Sequence, residues 1–172
     1  MPLEAYLCSR RQPKENNELI VNTPQQTFRA ALGQFFVKET STENLAAARS
    51  LIERSETAGA DLLVLPECII ARKLGMPEWG QKQAEPLDGP FVSGLREATR
   101  GRRVTVVCTV QAKIANESRY ANDLLVIQNG ELRLTYQKIH LYDAFRGKES
   151  RYAAPGDVLP PVLQIGPFKV GF

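Results

Sequence analysis

The residue that most strongly suggests chemistry is Lys138, which ends the segment ELRLTYQK. Leu132, Leu134 and Tyr136 share its parity, so on a half-buried strand the lysine lies on the apolar face. A lysine directed at an apolar core is destabilising unless a carboxylate or a substrate receives its ammonium group. We therefore expect the sequence to contain a partner for Lys138.

A candidate partner is Glu67, which follows the apolar run DLLVL and a proline. Leu65 and Glu67 share one face if the chain stays extended through Pro66, and a proline favours that conformation in the residue before it. Glu67 would then emerge at the C-terminal end of a buried strand, where open α/β sheets form their ligand crevice. The pair of Glu67 and Lys138 could act on a bound substrate, or it could be a purely structural buried ion pair.

Glu67 and Lys138 must be positioned by the surrounding secondary structure. Its first elements occur in the order strand, helix, strand, which is typical of a parallel crossover unit. A strand is predicted over residues 29–37, and a second strand over residues 61–65. The helix between them begins at Thr40, which forms a capping box with Glu43, and ends at Gly59. The spacing of its apolar positions predicts a buried face formed by Leu45, Ala48, Leu51, Ile52 and Ser55.

The second half of the chain adds strands and two irregular stretches. Residues 71–90 are rich in Gly and Pro and indicate a long loop, followed by a helix from about Phe91 and a strand over residues 104–110. Asn129-Gly130 between two apolar runs is a type I′ hairpin signal. A second irregular stretch follows Lys138, and two short strands flank Gly166-Pro167. The pattern predicts an α/β sandwich with a mixed sheet and helices on at least one face.

Length and composition fit one globular domain behind an N-terminal extension. Of the 172 residues, 43% are hydrophobic, and residues 1–28 are polar without a sustained period, so we expect a loose extension over 1–28 and a domain over 29–172. No apolar run approaches the roughly 20 residues of a spanning helix and no secretory signal is evident, which predicts a cytoplasmic protein with no membrane partner.

The charge and the cysteines exclude two further classes of protein. A formal net charge of +3 without a basic stripe argues against nucleic acid as a partner. The three cysteines are unevenly spaced and form no CxxC motif, which argues against a disulfide framework and against a metal site.

Three motifs then occur in a fixed order, namely LPE, KIHLYD and ESRYAAPG. Together they resemble the carbon-nitrogen hydrolase family, the nitrilases and aliphatic amidases, over about residues 29–172. Within that family, KIHLYDAF followed by ESR is most similar to the deaminated-glutathione amidases. The resemblance implies an αββα sandwich of the nitrilase type, a Glu-Lys-Cys triad and an amidase that needs no metal or organic cofactor.

The resemblance also implies roles for matching residues. Glu67 would be the general base, Lys138 would stabilise the oxyanion, and Glu149 would hold the lysine and help to place the substrate. Asn122 matches a structural asparagine near the site, and we assign it with Tyr142 to substrate binding, although Tyr142 could equally serve to position its turn. These roles suit the chemistry, because attack on an amide by a thiol needs an adjacent base and a fixed donor for the developing oxyanion.

Other polar residues near the motifs have simpler explanations as well. His140 is the only histidine and could do acid–base work, but its apolar context favours a hydrogen bond to the backbone. Arg146, Lys148 and Arg151 could attract an anionic substrate, and a solvated loop face accounts for them equally well.

The sequence departs from the family pattern at the nucleophile. The family places its cysteine in a CYD-like motif shortly after a strand of the type KVGF, and this sequence ends at Phe172. Cys68 would point to the opposite side of an extended segment, Cys108 lies within an apolar strand, and Cys8 belongs to the extension. We therefore expect a sandwich truncated before the nucleophile, inactive by itself and poorly soluble because sheet surface is exposed.

Two functional hypotheses follow. The first is the N-terminal part of an amidase that hydrolyses the C–N bond of a small ω-amide such as deaminated glutathione, with a homo-oligomeric full-length form. The second is a catalytically dead interaction module that joins intact subunits through its sheet edge.

Overall fold

A computed structural model describes residues 5–9, 27–145 and 147–172 of the chain, the first of these as backbone only. The helices are α1 (Ser41–Thr57), α2 (Trp79–Gln83) and α3 (Pro90–Thr99), and a single 3-10 turn covers Glu149–Arg151. The strands are β1 (Ala5–Ser9), β2 (Arg29–Gly33), β3 (Leu62–Val64), β4 (Thr105–Lys113), β5 (Tyr120–Gln128), β6 (Glu131–Gln137), β7 (Ala153–Ala154), β8 (Leu163–Ile165) and β9 (Phe168–Val170).

The strands form one mixed sheet and a separate hairpin. The sheet has the order β1-β2-β3-β4-β5-β6, with β7 paired to β5, and β8 and β9 form the hairpin. The pairs β2–β3, β3–β4 and β5–β7 are parallel, whereas β1–β2, β4–β5 and β5–β6 are antiparallel. The mixed sheet and the β2–α1–β3 crossover are therefore confirmed, and so is the β5–β6 hairpin, in which Asn129 and Gly130 both have positive φ.

The two faces of the sheet have different coverings. On the helix face, α1 and α3 pack against the sheet, and the buried residues include Leu51, Leu95 and Val106. On the opposite face, named here the hairpin face, Leu62, Val107, Val126 and Leu134 pack with Ile165 of β8. Burial of each such side chain contributes about 1.5–3 kcal/mol to the free energy of unfolding, so the two clusters together fix the positions of β3, β4 and β5.

The start of α1 shows which part of the capping-box prediction was wrong. Thr40 is the N-cap residue, but its hydroxyl donates to Glu43 Oε2 at 2.6 Å and caps no backbone N–H. Glu43 is drawn instead to Lys38, whose Nζ lies 2.8 Å from Glu43 Oε1. The predicted apolar face is buried as expected except that Leu45 is only partly buried, and Asn44 is buried beside it.

Three predicted boundaries also need correction. The strand expected over residues 29–37 ends at Gly33, and the long loop over 71–90 contains the short helix α2. Within the extension assigned to residues 1–28, Ala5–Ser9 form a strand that pairs with β2, so this part is not loose; residues 10–26 lie outside the described residues. The ladder with β2 pairs the backbone groups of this segment.

The alternation in β6 is interrupted, which changes the argument that placed Lys138. The register with β5 shifts where Val126 pairs with Leu134 and Ile127 pairs with Leu132, so one extra residue lies between the two pairs. Leu132 consequently packs on the helix face, whereas Leu134 packs on the hairpin face. A bulge of this kind reverses the side-chain parity of a strand.

No helix in the described part of the chain is long and apolar enough to cross a membrane.

Candidate active site

Lys138 directly follows β6 and lies between two carboxylates. Its Nζ is 2.9 Å from Glu67 Oε1 and 3.1 Å from Glu149 Oε2. The Lys138 backbone is fixed from two sides, because its N–H donates to the Asn122 carbonyl and its carbonyl accepts from the Gly156 N–H, both at 2.9 Å. The lysine expected to need a carboxylate thus has two, contributed by segments 71 and 11 residues away in the sequence.

Asn122 holds the two carboxylates together. It lies on β5, is only 1% exposed, and its Nδ2 donates to Glu67 Oε1 at 2.8 Å and to Glu149 Oε1 at 3.0 Å. Its Oδ1 is buried without a hydrogen-bond partner among the described residues. Because the same amide nitrogen contacts both glutamates, Asn122 fixes their separation and thereby the position of the lysine between them.

Glu67 reaches this position by a route that simple alternation does not predict. Leu63 and Leu65 pack on the helix face, whereas Tyr136, two residues before Lys138, packs on the hairpin face. Strict parity would therefore have separated Glu67 from Lys138 across the sheet. The two meet because β3 ends at Val64 and the chain bends at Glu67 and Cys68, so strand alternation does not extend as far as Glu67.

The turn after Glu67 is held by polar side chains of β4. Cys68 has a φ of 55° and donates its N–H to Thr109 Oγ1 at 2.7 Å. Gln111 is buried, accepts the Ile70 N–H at 3.1 Å and donates to the carbonyls of Cys68 and Ala71 at 3.1 and 2.9 Å. Neither Thr109 nor Gln111 was identified from the sequence. A glutamine directly after the apolar run VTVVCTV is the signal that could have identified Gln111.

Glu149 is fixed by the segment that follows Lys138. Its Oε2 accepts the Tyr142 N–H at 2.7 Å, and its own N–H donates to the Tyr142 carbonyl at 3.1 Å. The Tyr142 side chain is 55% exposed and lines the cleft beside the cluster. The backbone of Tyr142 therefore positions Glu149, while its side chain remains available to a bound molecule. His140 is exposed and does not line this cleft.

The charges in the cluster stabilise one another. Partial burial acts to raise the pKa of Glu67, but hydrogen bonds from Lys138 and Asn122 and the charges of Lys138 and Arg72 outweigh it, so the pKa lies below its usual value of 4.5. Partial burial acts to lower the pKa of Lys138, but hydrogen bonds and charges from Glu67 and Glu149 outweigh it and raise the pKa above 10.5. Glu67 is therefore a carboxylate and Lys138 an ammonium at neutral pH.

Neither cysteine with a described side chain is suited to be a nucleophile. Burial, followed by the charges of Glu67 and Glu149, raises the pKa of the Cys68 thiol to about 12. Burial alone raises the pKa of Cys108 to about 12. Since the thiolate is the reactive form, both thiols are inert at neutral pH. The side chain of Cys8 lies outside the described residues.

A cleft of about 440 Å³ opens beside the ionic cluster. It is lined by two segments, one from Glu67 to Gly80 and the other from Lys138 to Tyr152, together with Gln111 and Tyr120. This volume is within the range of small-molecule sites. Among the described residues, no group of three or more His, Cys, Asp or Glu side chains is arranged to hold a metal ion.

Comparison with known proteins decides the family. The family model described as carbon-nitrogen hydrolase matches residues 29–172. The chain belongs to the carbon-nitrogen hydrolase family. It is 33% identical over 141 residues to the deaminated glutathione amidase of Escherichia coli O157:H7, covering 82% of this chain and 53% of that protein. It is 35% identical over 147 residues to a hydrolase of Mycobacterium tuberculosis, covering 84% of this chain and 51% of that protein.

A solved structure supports the same placement. The crystal structure of an amidase from Nesterenkonia sp. aligns with a TM-score of 0.68 at 26% identity, covering 84% of this chain and 54% of that chain. The fold of this carbon-nitrogen hydrolase chain is therefore of the nitrilase type, as the motifs indicated. The chain spans about half the length of the curated relatives it matches.

Proposed function

We propose that residues 29–172 are the N-terminal part of an amidase that hydrolyses the C–N bond of a small ω-amide such as deaminated glutathione. The observation that carries this proposal is the ammonium of Lys138, held between Glu67 and Glu149 at the edge of a small-molecule cleft. The similarity to a deaminated glutathione amidase and to an amidase of known structure supports the reaction class.

Each charged group suits one step of amide hydrolysis by a thiol. Glu67 takes the thiol proton, the sulfur attacks the amide carbonyl, and the carbonyl oxygen becomes an oxyanion. Glu67 then returns the proton to the leaving nitrogen, which departs as an amine and leaves a thioester; the amine is a dipeptide for deaminated glutathione and ammonia for a primary amide. Water, deprotonated by Glu67, attacks the thioester and releases the acid and the thiol. The depressed pKa of Glu67 is consistent with a base that is already ionised at neutral pH.

Lys138 is suited to the oxyanion rather than to proton abstraction. Its pKa is raised, so it stays protonated and cannot act as a base at neutral pH. An ammonium group has three N–H donors, and the two glutamates account for two of them. The third is available to a substrate oxygen, and a fixed cation at such a position typically contributes several kcal/mol to the barrier reduction.

Glu149 and Asn122 support these two residues. Glu149 is the less exposed of the two glutamates, with 15% of its side chain accessible against 59% for Glu67. This difference favours Glu149 as the residue that holds the lysine and Glu67 as the one that meets the reactants. Asn122 donates to both carboxylates, is only 1% exposed and does not line the cleft, so we assign it to positioning rather than to the substrate contact expected from the sequence.

The thiol is not supplied by Cys68 or Cys108, and we propose that it comes from polypeptide outside residues 1–172. The test is an assay for release of the 2-oxo acid from deaminated glutathione, and of ammonia from primary ω-amides, on the polypeptide extended by the coding sequence that follows codon 172. We expect turnover of ω-amides that falls by orders of magnitude in Glu67→Gln, Lys138→Met and Glu149→Gln, with Lys113→Met as an exposed control. Near-normal turnover of Lys138→Met, or the absence of a cysteine-containing continuation, would contradict the proposal.

The interaction-module hypothesis is favoured by a different observation. Several apolar side chains are exposed, including Leu32 at 48%, Val158 at 71% and Leu159 at 78%. Where such side chains form one contiguous patch, they mark a contact surface. A module of this kind would show stoichiometric binding to a second polypeptide in the 172-residue form, with no amidase activity in any extended form.

A further inference from the structure

A second cavity, of about 580 Å³, opens at the end of the sheet remote from the ionic cluster. We name it the basal cavity, and the strand residues or strand neighbours that bound it are Asp61, Thr105, Gln128 and Arg133. These positions precede β3, begin β4, end β5 and lie early in β6, whereas the ionic cluster follows the ends of β3 and β6. A strand of nine residues such as β5 spans roughly 27 Å, so the basal cavity is separate from the cleft of the proposed function.

Arginine provides most of the charge around the basal cavity. Arg102, Arg103 and Arg133 line it, together with two carboxylates, Asp61 and Glu131. The first two arginines come from the loop after α3 and the third from β6, so cations approach the cavity from two segments. Arg133 donates to Glu131 at 3.4 Å. A guanidinium presents several N–H donors in one plane, which suits it to bind the oxygens of an anion.

The ion pairs of the two loop arginines are long. Arg102 Nη2 lies 3.6 Å from Glu53 Oε1, and Arg103 Nη2 lies 3.7 Å from Asp61 Oδ1. Both distances exceed that of a hydrogen bond. Within the described part of the chain, neither guanidinium donates a hydrogen bond, so the donors of both groups are available to a ligand even though each charge has a neighbouring carboxylate.

The carboxylates would keep favourable surroundings if these arginines turned toward a ligand. Asp61 Oδ2 accepts the Arg29 N–H at 2.8 Å, and this bond does not involve Arg103. The side chains of Glu53 and Glu131 are 66% and 70% exposed, so water solvates them. Exposed ion pairs contribute little to stability. A bound anion can therefore replace them as the partner of the arginines at low cost.

A buried hydroxyl at the basal cavity gives an independent sign of a ligand. Thr105 lines the cavity and is 1% exposed, and its Oγ1 has no hydrogen-bond partner among the described residues. Buried hydroxyl groups are nearly always hydrogen-bonded, because an unpaired one loses its interaction with water and gains nothing. The missing partner indicates a polar atom that the described residues do not supply.

We propose that the basal cavity binds the phosphate group of a small phosphorylated molecule, with Arg102 and Arg103 donating to its oxygens and the Thr105 hydroxyl donating to one of them. A phosphate group offers enough acceptors for all three side chains, and its contacts with arginine are often bidentate. The volume of the cavity leaves room for an organic part of the ligand. The inference concerns a second site and does not depend on the amidase function.

The experiment measures anion binding to the 172-residue chain by isothermal titration calorimetry at neutral pH and constant ionic strength. The probes are glycerol 3-phosphate, inorganic phosphate and succinate. We expect the two phosphates to compete for one site. Succinate should bind about fivefold more weakly or less, because its two charges lie on separate groups and cannot both meet the same pair of arginines.

Substitutions locate the bound phosphate. Arg102→Gln and Arg103→Gln should each weaken the binding of glycerol 3-phosphate about fivefold or more. Thr105→Val keeps the shape of the side chain and removes an unpaired hydroxyl, so it should weaken binding severalfold without lowering the thermal unfolding midpoint. Arg100→Gln, in the same loop but outside the cavity lining, is the matched control, and Arg72→Gln removes a cation of the other cleft; both should keep the wild-type affinity.

Each contrary result overturns the inference without touching the amide site. These results are no binding of either phosphate, equal affinity for succinate, or the wild-type affinity in Arg102→Gln, Arg103→Gln or Thr105→Val. A loss of affinity in Arg72→Gln would place the anion in the other cleft and would also overturn it. Weaker binding in the three cavity variants, with the wild-type affinity in both controls, supports the assignment.

Discussion

Replacement of Lys138 by methionine tests whether the ionic cluster is held together as described. Methionine keeps most of the side-chain volume and removes the charge, which leaves Glu67 and Glu149 side by side. Both carboxylates already accept from the same nitrogen of Asn122, so they remain close in the variant. Two neighbouring carboxylates without a cation repel each other, and the pKa of at least one of them rises.

The expected loss of stability follows from the burial of the three groups. Removal of one partner from a buried ion pair costs about 3–5 kcal/mol, but 29% of the Lys138 side chain and 59% of the Glu67 side chain are exposed to solvent. Solvent screening reduces the figure, and we expect about 1–3 kcal/mol in the free energy of unfolding at neutral pH. Lys113→Met, in an exposed residue at the end of β4, is the matched control and should change the free energy by less than about 0.5 kcal/mol.

The pH dependence gives this prediction its sharpest form. The pKa of Glu67 is lowered on folding, so its stabilisation is present above pH 4.5 and is lost as the pH falls through the folded-state pKa. The pKa of Lys138 is raised, so its stabilisation is present below pH 10.5 and is lost as the pH rises through the folded-state pKa. Urea titrations should therefore show the largest difference between wild type and Lys138→Met near neutral pH and a smaller one near pH 3. A Lys138→Met variant as stable as Lys113→Met at neutral pH, or a difference that grows in acid, would refute the reasoning.

Three further predictions concern the residues that support the site. Iodoacetamide followed by peptide mapping should leave Cys68 and Cys108 unmodified in the folded chain at pH 7.5, since burial raises both pKa values to about 12; rapid alkylation of Cys68 would restore it as a candidate nucleophile. Gln111→Leu should lower the free energy of unfolding by about 2–4 kcal/mol, because it removes three hydrogen bonds to buried backbone groups, and unchanged hydrogen exchange of the Ile70 amide would count against this. Gly130→Ala should cost about 1–2 kcal/mol by thermal or urea unfolding, since φ is 79° at this residue, and an unaltered midpoint would show that the turn relaxes freely.

The elements of the fold were predictable where short-range chemistry decides them. Asn129-Gly130 specified its hairpin because few other residues adopt positive φ at both central positions. The crossover around α1 followed from the change between strand and helix periodicity. The strand Ala5–Ser9 was not predictable, because its partner β2 is distant in the sequence and the five residues AYLCS, among polar neighbours, show no sustained period. Pairing between distant segments is decided by tertiary contacts that local propensity does not contain.

The candidate site was predictable in its members but not in its geometry. The need for a carboxylate near Lys138 followed from the cost of an unpaired buried charge. The path of the chain that brings Glu67 to Lys138 could not be predicted in the same way. The bulge in β6 and the turn at Cys68 each change the side-chain direction that strand alternation predicts. The two departures from regular structure compensate each other, and both depend on tertiary contacts that the local sequence does not contain. Asn122 positions the carboxylates by donating hydrogen bonds to both Glu67 and Glu149, and no rule based on sequence spacing predicts that these three residues lie together.

The measurement that tests the central claim most directly is a carbon-13 NMR titration of the Glu67 side-chain carboxyl in wild type and in Lys138→Met. We predict that Glu67 titrates below 4.5 in the wild type and at a higher pH in the variant, since the lysine supplies both a hydrogen bond and a charge. A Glu67 carboxyl that titrates at or above its usual value in the wild type, with no change when the lysine is removed, would contradict the account.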